Sequence, residues 1–127
     1  MLAVDTNVLV RLLVNDDARQ GAAARRLFES DEIWIGVTVL LETAWVLESI
    51  YDLSADETVK ALQRLLGLPN VRAEDPGAVA AALDAAGKGL ELADALHLVR
   101  TPPGADFVTF DQVLAKRGKK IRAVRRA

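Results

Sequence analysis

Residues 2–14 read LAVDTNVLVRLLV, an apolar stretch that is interrupted by a single carboxylate. Residues 2–5 form a short apolar run that ends in Asp5, which is typical of a buried strand in a parallel sheet. From residue 6 onward the apolar side chains recur at helical spacing, so residues 6–14 are predicted to be a helix. Asp5 therefore stands where a strand ends and a helix begins, a position that suits either helix capping or a functional site.

The same alternation of short strands and helices continues along the chain. Strands that alternate with helices form βαβ units, and their right-handed crossovers give a parallel sheet covered on both faces. The sequence thus predicts one α/β domain over residues 1–127, a three-layer α/β/α sandwich around a central, mostly parallel sheet of roughly four to five strands. The further strands are predicted at residues 32–36, 70–73, 106–110 and 121–124, and the further helices at 17–29, 39–51, 54–66, 75–86, 91–100 and 111–116.

The composition limits the kinds of site that the chain can build. It contains no cysteine and one histidine, His97, which excludes disulfides and thiolate metal sites and disfavours a zinc site. A divalent cation would need oxygen ligands, so Mg²⁺, Mn²⁺ or Ca²⁺ is favoured. His97 is interpreted as a structural or interface residue. The missing cysteine fits a reducing, cytoplasmic compartment, and neither a secretory signal nor a membrane-spanning segment is predicted.

The net charge of −2 conceals an uneven distribution of charge. All 18 acidic residues lie within residues 1–111, whereas residues 112–127 contain seven of the 16 basic residues and no acidic one. A basic tail beside an acidic body could supply phosphate contacts next to a metal site, and it could equally be an ordinary solvated terminus.

Four acidic residues stand out by their position: Asp5, Glu42, Asp94 and Asp111. Asp5 and Asp111 each follow a predicted strand, where helix capping is the simplest role. Glu42 lies on an apolar helical stripe, which is costly unless the carboxylate is paired, metal-bound or able to reach water. Glu91 and Asp94 share one helical face near a helix start, where the helix dipole alone would favour them.

Taken together, these positions predict a metal site. The carboxyl ends of parallel strands meet at one edge of a sheet, so the acids are expected to converge there. Carboxylates about 5 Å apart repel by about 3 kcal/mol per pair at an effective dielectric constant of about 20. A hard divalent cation is the simplest way to make such a cluster stable.

The motifs resemble those of PIN-domain nucleases, in the same order along nearly the whole chain. Residues 4–9, VDTNVL, are similar to the opening motif, and Glu42 occurs four residues after Thr38. Residues 91–97, ELADALH, and 108–111, VTFD, resemble the later motifs. The short format is similar to the VapC toxins of toxin–antitoxin pairs. Many relatives have aspartate at the position of Glu91, whose longer arm leaves the number of ligands open.

The resemblance implies a metal-dependent endoribonuclease that cleaves structured RNA, such as tRNA or ribosomal RNA, with one or two Mg²⁺ or Mn²⁺ ions. It also implies a homodimer and a VapB-like protein antitoxin that covers the active-site groove. The implied metal ligands and catalytic residues are Asp5, Glu42, Asp94 and Asp111. The residues implied to orient or supplement them are Thr6, Asn7, Glu91 and Thr109.

Some residues are given roles outside this acidic set. Arg11 and the basic tail, Lys116 to Arg126, are expected to contact phosphates of the substrate. Trp34 and Trp45 lie in apolar runs and are expected in the core or in a dimer interface rather than as stacking platforms for bases.

Three alternative functions remain open at this point. A haloacid-dehalogenase-like phosphatase also places aspartate after its first strand, but its second aspartate two residues later is Asn7 here. A receiver-type phosphoacceptor needs an acidic pair at that strand end, whereas Asp16 and Asp17 come later. The third alternative is a PIN-like module that binds RNA or a protein without catalysis, which the presence of all four acids disfavours.

Overall fold

The computed structural model describes residues 1–127, which form seven α-helices and five short strands, all of them paired in parallel. The predicted α/β class is confirmed. The chain divides into two compact units, Met1–Pro76 and Gly77–Ala127. In chain order the elements are β1 (Leu2–Ala3), α1 (Thr6–Val14), α2 (Ala18–Ser30), β2 (Ile33–Ile35), α3 (Val37–Ser49), α4 (Ala55–Leu66), β3 (Val71–Ala73), α5 (Pro76–Gly87), α6 (Leu92–Val99), β4 (Phe107–Thr109), α7 (Gln112–Arg117), a 3₁₀ turn (Gly118–Lys120) and β5 (Val124–Arg126).

The first unit is organised by a three-stranded parallel sheet in the order β1-β2-β3. Leu2 pairs with Ile33, and Ile33 pairs in turn with Val71, so β2 is the central strand. Ile33 and Ile35 are fully buried, as expected for a central strand that is covered by helices. Burial of large apolar side chains on the neighbouring helices completes this core: Leu9, Leu40, Leu47 and Leu62.

A close approach of α1 and α2 fixes the segment that follows Asp5. Helix α1 ends at Asn15, whose positive φ of 58° is tolerated because asparagine is common in the left-handed region. Gly21 of α2 is buried, and a Cβ atom there would lie 3.0 Å from Asn15 Oδ1 and 3.4 Å from the Arg11 carbonyl oxygen. Glycine at this position therefore allows α2 to pack closely against the last turn of α1.

A capping box begins α4, as the sequence predicts. The Ser54 hydroxyl accepts from Glu57 N at 3.0 Å, and Glu57 Oε1 accepts from Ser54 N at 2.9 Å. The backbone hydrogen bond with Ser54 holds the pKa of the Glu57 carboxyl below its ordinary value. The folded state thus favours the ionised carboxylate at this helix start.

This lowered pKa makes the stability of the protein depend on pH at the acidic end. The contribution of Glu57 is complete above the unfolded-state value of about 4.3 and is lost as the pH falls through the lower folded-state value. We therefore expect Glu57→Gln to be less stable than the wild type at neutral pH and to approach it as the pH falls below the folded-state pKa, measured by urea unfolding. Glu48→Gln on α3, where the glutamate is exposed and makes no hydrogen bond, is the matched control. A Glu57→Gln deficit that does not vary with pH would contradict the assignment.

The second unit contains a two-stranded parallel sheet, in which Phe107 pairs with Val124 and Thr109 with Arg126. The predicted strand at 121–124 is displaced toward the C-terminus and begins at Val124, because Ile121 N and Arg122 N both donate to the Gly118 carbonyl and continue the 3₁₀ turn. The five strands are thus distributed over two sheets, three and two, where one sheet of four to five strands was expected. The buried core of this unit comprises Val79, Ala82, Leu83, Leu90, Ala95, Leu96, Leu98, Leu114 and Ala115.

The two tryptophans differ in their exposure to solvent. Trp34 is half-buried on β2, whereas Trp45 on α3 is 65% exposed, so of the two expected locations for Trp45 the dimer interface is the one that stays a prediction. None of the helices combines the length and the apolar character that are needed to cross a lipid bilayer.

Candidate functional site

Asp5 is both the N-cap of α1 and an exposed carboxylate. The chain is extended at this residue, with φ −88° and ψ 166°, and Asp5 Oδ1 accepts from Thr6 N at 2.7 Å. Asp5 Oδ2 makes no hydrogen bond within the chain, and the side chain reaches the surface. Helix capping and ligand binding, which the sequence left as alternatives, are therefore compatible at Asp5 because they use different oxygens.

Glu42 is joined to the same region by a buried hydroxyl. Thr6, only 7% exposed, donates its Oγ1 hydrogen to Glu42 Oε1. This bond connects the first turn of α1 with the middle of α3 and leaves Glu42 Oε2 free. This hydrogen bond is the contact that the predicted role of Thr6 in orienting a carboxylate requires, and the exposed position of Glu42 explains how a glutamate is tolerated beside an apolar stripe.

These side chains line one surface pocket of the first unit, with a volume of about 380 Å³. Two carboxylates within one pocket create a negative potential that favours a cation. Each carboxylate engages one oxygen in a structural hydrogen bond and presents the other. The complete lining comprises Asp5, Thr6, Asn7, Val10, Arg11, Glu42, Val46, Ile50 and Tyr51.

The pocket also contains one cation, Arg11, which is held by three neighbours. Arg11 Nη1 donates to Asp16 Oδ1 at 2.8 Å and to the Tyr51 hydroxyl at 3.2 Å, while Nε donates to Gln20 Oε1 at 2.7 Å. The Tyr51 hydroxyl donates in turn to Asp16 Oδ2 at 2.8 Å. The hydrogen bond with Tyr51 and the charge of Asp16 raise the pKa of Arg11. The hydrogen bond from Tyr51 is the main cause that lowers the pKa of Asp16; burial opposes it, and the charge of Arg11 adds a smaller lowering.

Arg11 was expected from the sequence to contact phosphate, but Asp16 and Tyr51 were not identified as its partners. Asp16 lies five residues after Arg11, just beyond the end of α1. An acidic residue this close in sequence could have been proposed as an ion-pair partner of Arg11. Tyr51 lies 40 residues from Arg11 in sequence. No local pattern predicts that pairing, because it depends on how α1 and the end of α3 pack.

Two of the predicted acidic positions lie in the second unit, at the start of α6. Glu91 is the N-cap residue, but its side chain makes no capping hydrogen bond. Asp94 lies in the first helical turn and is half-buried. Neither carboxylate is used by a hydrogen bond within the chain, so both oxygens of each are available as ligands or acceptors.

Asp111 repeats at α7 the arrangement that Asp5 has at α1. Its Oδ1 accepts from Val113 N at 2.9 Å and from Leu114 N at 3.0 Å, and Oδ2 is left without a partner. Asp111 N donates to Thr109 Oγ1 at 3.0 Å, so Thr109 bonds the backbone of Asp111 and not its carboxylate, and its role in orienting that carboxylate stays a prediction. His97 stacks on Phe107 with ring centroids 6.4 Å apart, in agreement with a structural role for this histidine.

The structure brings together part of the predicted acidic set. Asp5 and Glu42 line one pocket with Thr6 and Asn7, but no group of three or more acidic or histidine side chains forms a metal-binding cluster. The expected convergence relied on a shared sheet edge, and β1 and β4 belong to different sheets. The joint participation of Asp94 and Asp111 therefore stays a prediction.

The donor set of the pocket fits a hard divalent cation. Two carboxylates, each with an uncommitted oxygen, are accompanied by the oxygen-bearing side chains of Thr6 and Asn7. Mg²⁺ and Mn²⁺ prefer such ligands and usually retain several waters, so two protein carboxylates can suffice to anchor one ion. No nitrogen or sulfur ligand that would favour zinc lines the pocket.

Fold and site together define an α/β protein with parallel strands and exposed carboxylates at the starts of helices. The family model for the PIN domain matches residues 2–120, and the chain therefore belongs to the PIN domain family. PIN domains are usually metal-dependent nucleases, which agrees with the oxygen ligands in the pocket. Comparison with curated proteins gave no match, and comparison with solved structures gave none either.

Proposed function

We propose that the chain is a Mg²⁺- or Mn²⁺-dependent endoribonuclease and acts as the VapC-like toxin of a toxin–antitoxin pair. The observation that carries this proposal is the pocket in which Thr6 binds both carboxylates, Asp5 through its backbone N–H and Glu42 through its buried hydroxyl. The family membership supports nuclease chemistry in general. The choice of RNA as the substrate and of the toxin role rests on the motif resemblance.

In this proposal Asp5 and Glu42 anchor the divalent ion with their uncommitted oxygens. When bound, the ion supplies Lewis-acid stabilisation for the negative charge that develops on the phosphate oxygens. Thr6 holds Glu42 in place, so that less freedom is lost when the ion binds. Asn7 lines the same pocket and offers a polar side chain to an ion-bound water or to the substrate.

Asp94 and Asp111 are proposed as the remaining ligands, with Glu91 in support. Each presents at least one carboxylate oxygen without a partner in the chain. Residues 1–127 are proposed to form a single nuclease domain. The basic tail, rich in exposed lysine and arginine, is proposed to contact RNA phosphates.

The proposed partners follow from the same resemblance. They are a structured RNA such as tRNA or ribosomal RNA, a second copy of the chain, and a VapB-like antitoxin that could complete a hetero-oligomer. The exposed Trp45 and Ile50 at the C-terminal half of α3 are available for such a contact. The absence of cysteine supports a cytoplasmic setting.

The decisive experiment is cleavage of a pool of total RNA with Mg²⁺, with Mn²⁺ and with chelator, followed by mapping of the new 5′ ends. We expect metal-dependent cleavage at defined sites that yields 5′-phosphates, and no cleavage with chelator. Glu42→Gln, which removes the charge but preserves size, should abolish the new ends.

Other outcomes of this experiment would overturn the proposal. Binding of RNA without any cleavage would favour the catalytically silent PIN-like module. Hydrolysis of a generic aryl phosphate, with RNA left intact, would favour the phosphatase alternative. Cleavage that persists in chelator or in Glu42→Gln would indicate a contaminating or metal-independent nuclease.

A further inference from the structure

The guanidinium of Arg11 is oriented by the fold before any substrate arrives. Its Nε donates to Gln20 and its Nη1 donates to both Asp16 and Tyr51, at 2.7, 2.8 and 3.2 Å. These three bonds use three of the five N–H donors of an arginine side chain. The two remaining donors are on Nη2, which makes no hydrogen bond within the chain.

Arg11 forms no ion pair with Asp5 or Glu42, the two acids of the pocket. It lines the same pocket as Asp5 and Glu42, yet its hydrogen bonds go to neither of them. An arginine that compensated these carboxylates would pair with them, because bidentate arginine–carboxylate bonds are strong. Asp16 and Tyr51 instead hold the guanidinium of an arginine that lines the same pocket as the two carboxylates, so that groups of both charges are present in one pocket.

We propose that Arg11 binds a phosphate of the nucleic-acid substrate through Nη2, with Asp16 and Tyr51 as positioning residues. This inference rests on the proposed function, since it assigns a phosphate-bearing polymer to the same pocket. A guanidinium matches the oxygens of a phosphate in charge and in geometry. Because three bonds already fix the side chain, binding requires little additional ordering of Arg11.

The hydrogen-bond network around Arg11 predicts that substitutions of Arg11 and of Tyr51 weaken RNA binding to different extents. Removing the Arg11 charge loses the phosphate contact itself. Removing the Tyr51 hydroxyl loses one acceptor for Arg11 Nη1 and the donor to Asp16, so that the guanidinium keeps its charge but loses its fixed orientation. Tyr51→Phe should therefore weaken RNA binding less than Arg11→Gln does.

The test has two parts. Cleavage kinetics are measured with metal, and binding of a fluorescent single-stranded RNA is measured in chelator, where no cleavage occurs. Binding is detected by fluorescence anisotropy at several salt concentrations. For Arg11→Gln we expect the Kd for RNA and the KM to rise about tenfold, with kcat changed less than about threefold. The slope of log Kd against log salt should fall by about 0.7, as for the loss of one phosphate contact to a single strand. Arg11→Lys should retain the slope but not the full affinity.

Arg25→Gln is the matched control, because Arg25 donates to Asn15 on the surface and lies outside the pocket. Wild-type protein that binds and cleaves RNA, with Arg11→Gln unchanged in Kd and salt slope, would overturn this inference and leave the proposed function intact. Wild-type protein that neither binds nor cleaves RNA would instead refute the proposed function. If Arg11→Gln proves unfolded by circular dichroism, an unchanged Kd in both Arg11→Lys and Tyr51→Phe would count against the inference.

Discussion

Asp5→Asn is expected to lower metal-dependent RNA cleavage by about a thousandfold, which corresponds to about 4 kcal/mol of transition-state stabilisation. The substitution removes the charge that attracts the ion, while asparagine caps a helix about as well as aspartate does. The hydrogen bond from Thr6 N to the side-chain oxygen can therefore persist. The measurement is the initial rate of RNA cleavage at saturating Mg²⁺.

Asp17→Asn is the control for this prediction, since it makes the same chemical change at another helix start. Asp17 caps α2 through a 2.9 Å bond from Gln20 N and lies outside the pocket. Its cleavage rate should equal that of the wild type. An Asp5→Asn protein with more than a tenth of wild-type activity would exclude Asp5 as a metal ligand.

The same Asp5→Asn protein separates catalysis from capping by its thermal stability. In metal-free buffer the melting temperature should rise, because the substitution relieves repulsion between two carboxylates that line one pocket. Added Mg²⁺ should then stabilise the wild type more than the variant. A lower melting temperature without metal would indicate that Asp5 acts mainly as the cap of α1.

Leu47→Ala is expected to reduce the free energy of unfolding by about 3 kcal/mol and to lower the melting temperature by about 10 °C. Leu47 is fully buried on α3, so truncation loses apolar burial and leaves a cavity. Trp45→Ala is the control on the same helix, because Trp45 is 65% exposed and should cost less than about 0.5 kcal/mol. Equal losses for the two variants would mean that Trp45 is covered in solution, for instance by a second copy of the chain.

Features that depend on neighbours in the chain could be predicted from the sequence. The strand–helix junctions at Asp5 and Asp111 and the capping box at Ser54 form where the residue types require them. Their hydrogen bonds join residues one to three positions apart, so the local pattern contains the whole arrangement.

Features that depend on distant pairing could not be predicted in the same way. The division of the strands into two sheets depends on which strands pair. Because the short apolar runs that form the strands resemble one another in sequence, the sequence does not specify their partners. The exposure of Trp45 depends on which face of α3 meets the core, and a helix that is apolar over most of its circumference does not specify that face. The expected meeting of Asp5 with Asp111 assumed one continuous sheet and is the least supported part of the site hypothesis.

The Thr6 hydroxyl has a consequence for how this protein can change over evolutionary time. It is buried in the first turn of α1, yet its acceptor is a surface carboxylate on α3. A substitution that shifts one of these helices against the other would therefore displace Glu42 without altering any acidic residue. Substitutions in the hydrophobic core are therefore also selected for their effect on the position of Glu42. Inactive descendants can arise that retain every acidic residue of the ancestral motif.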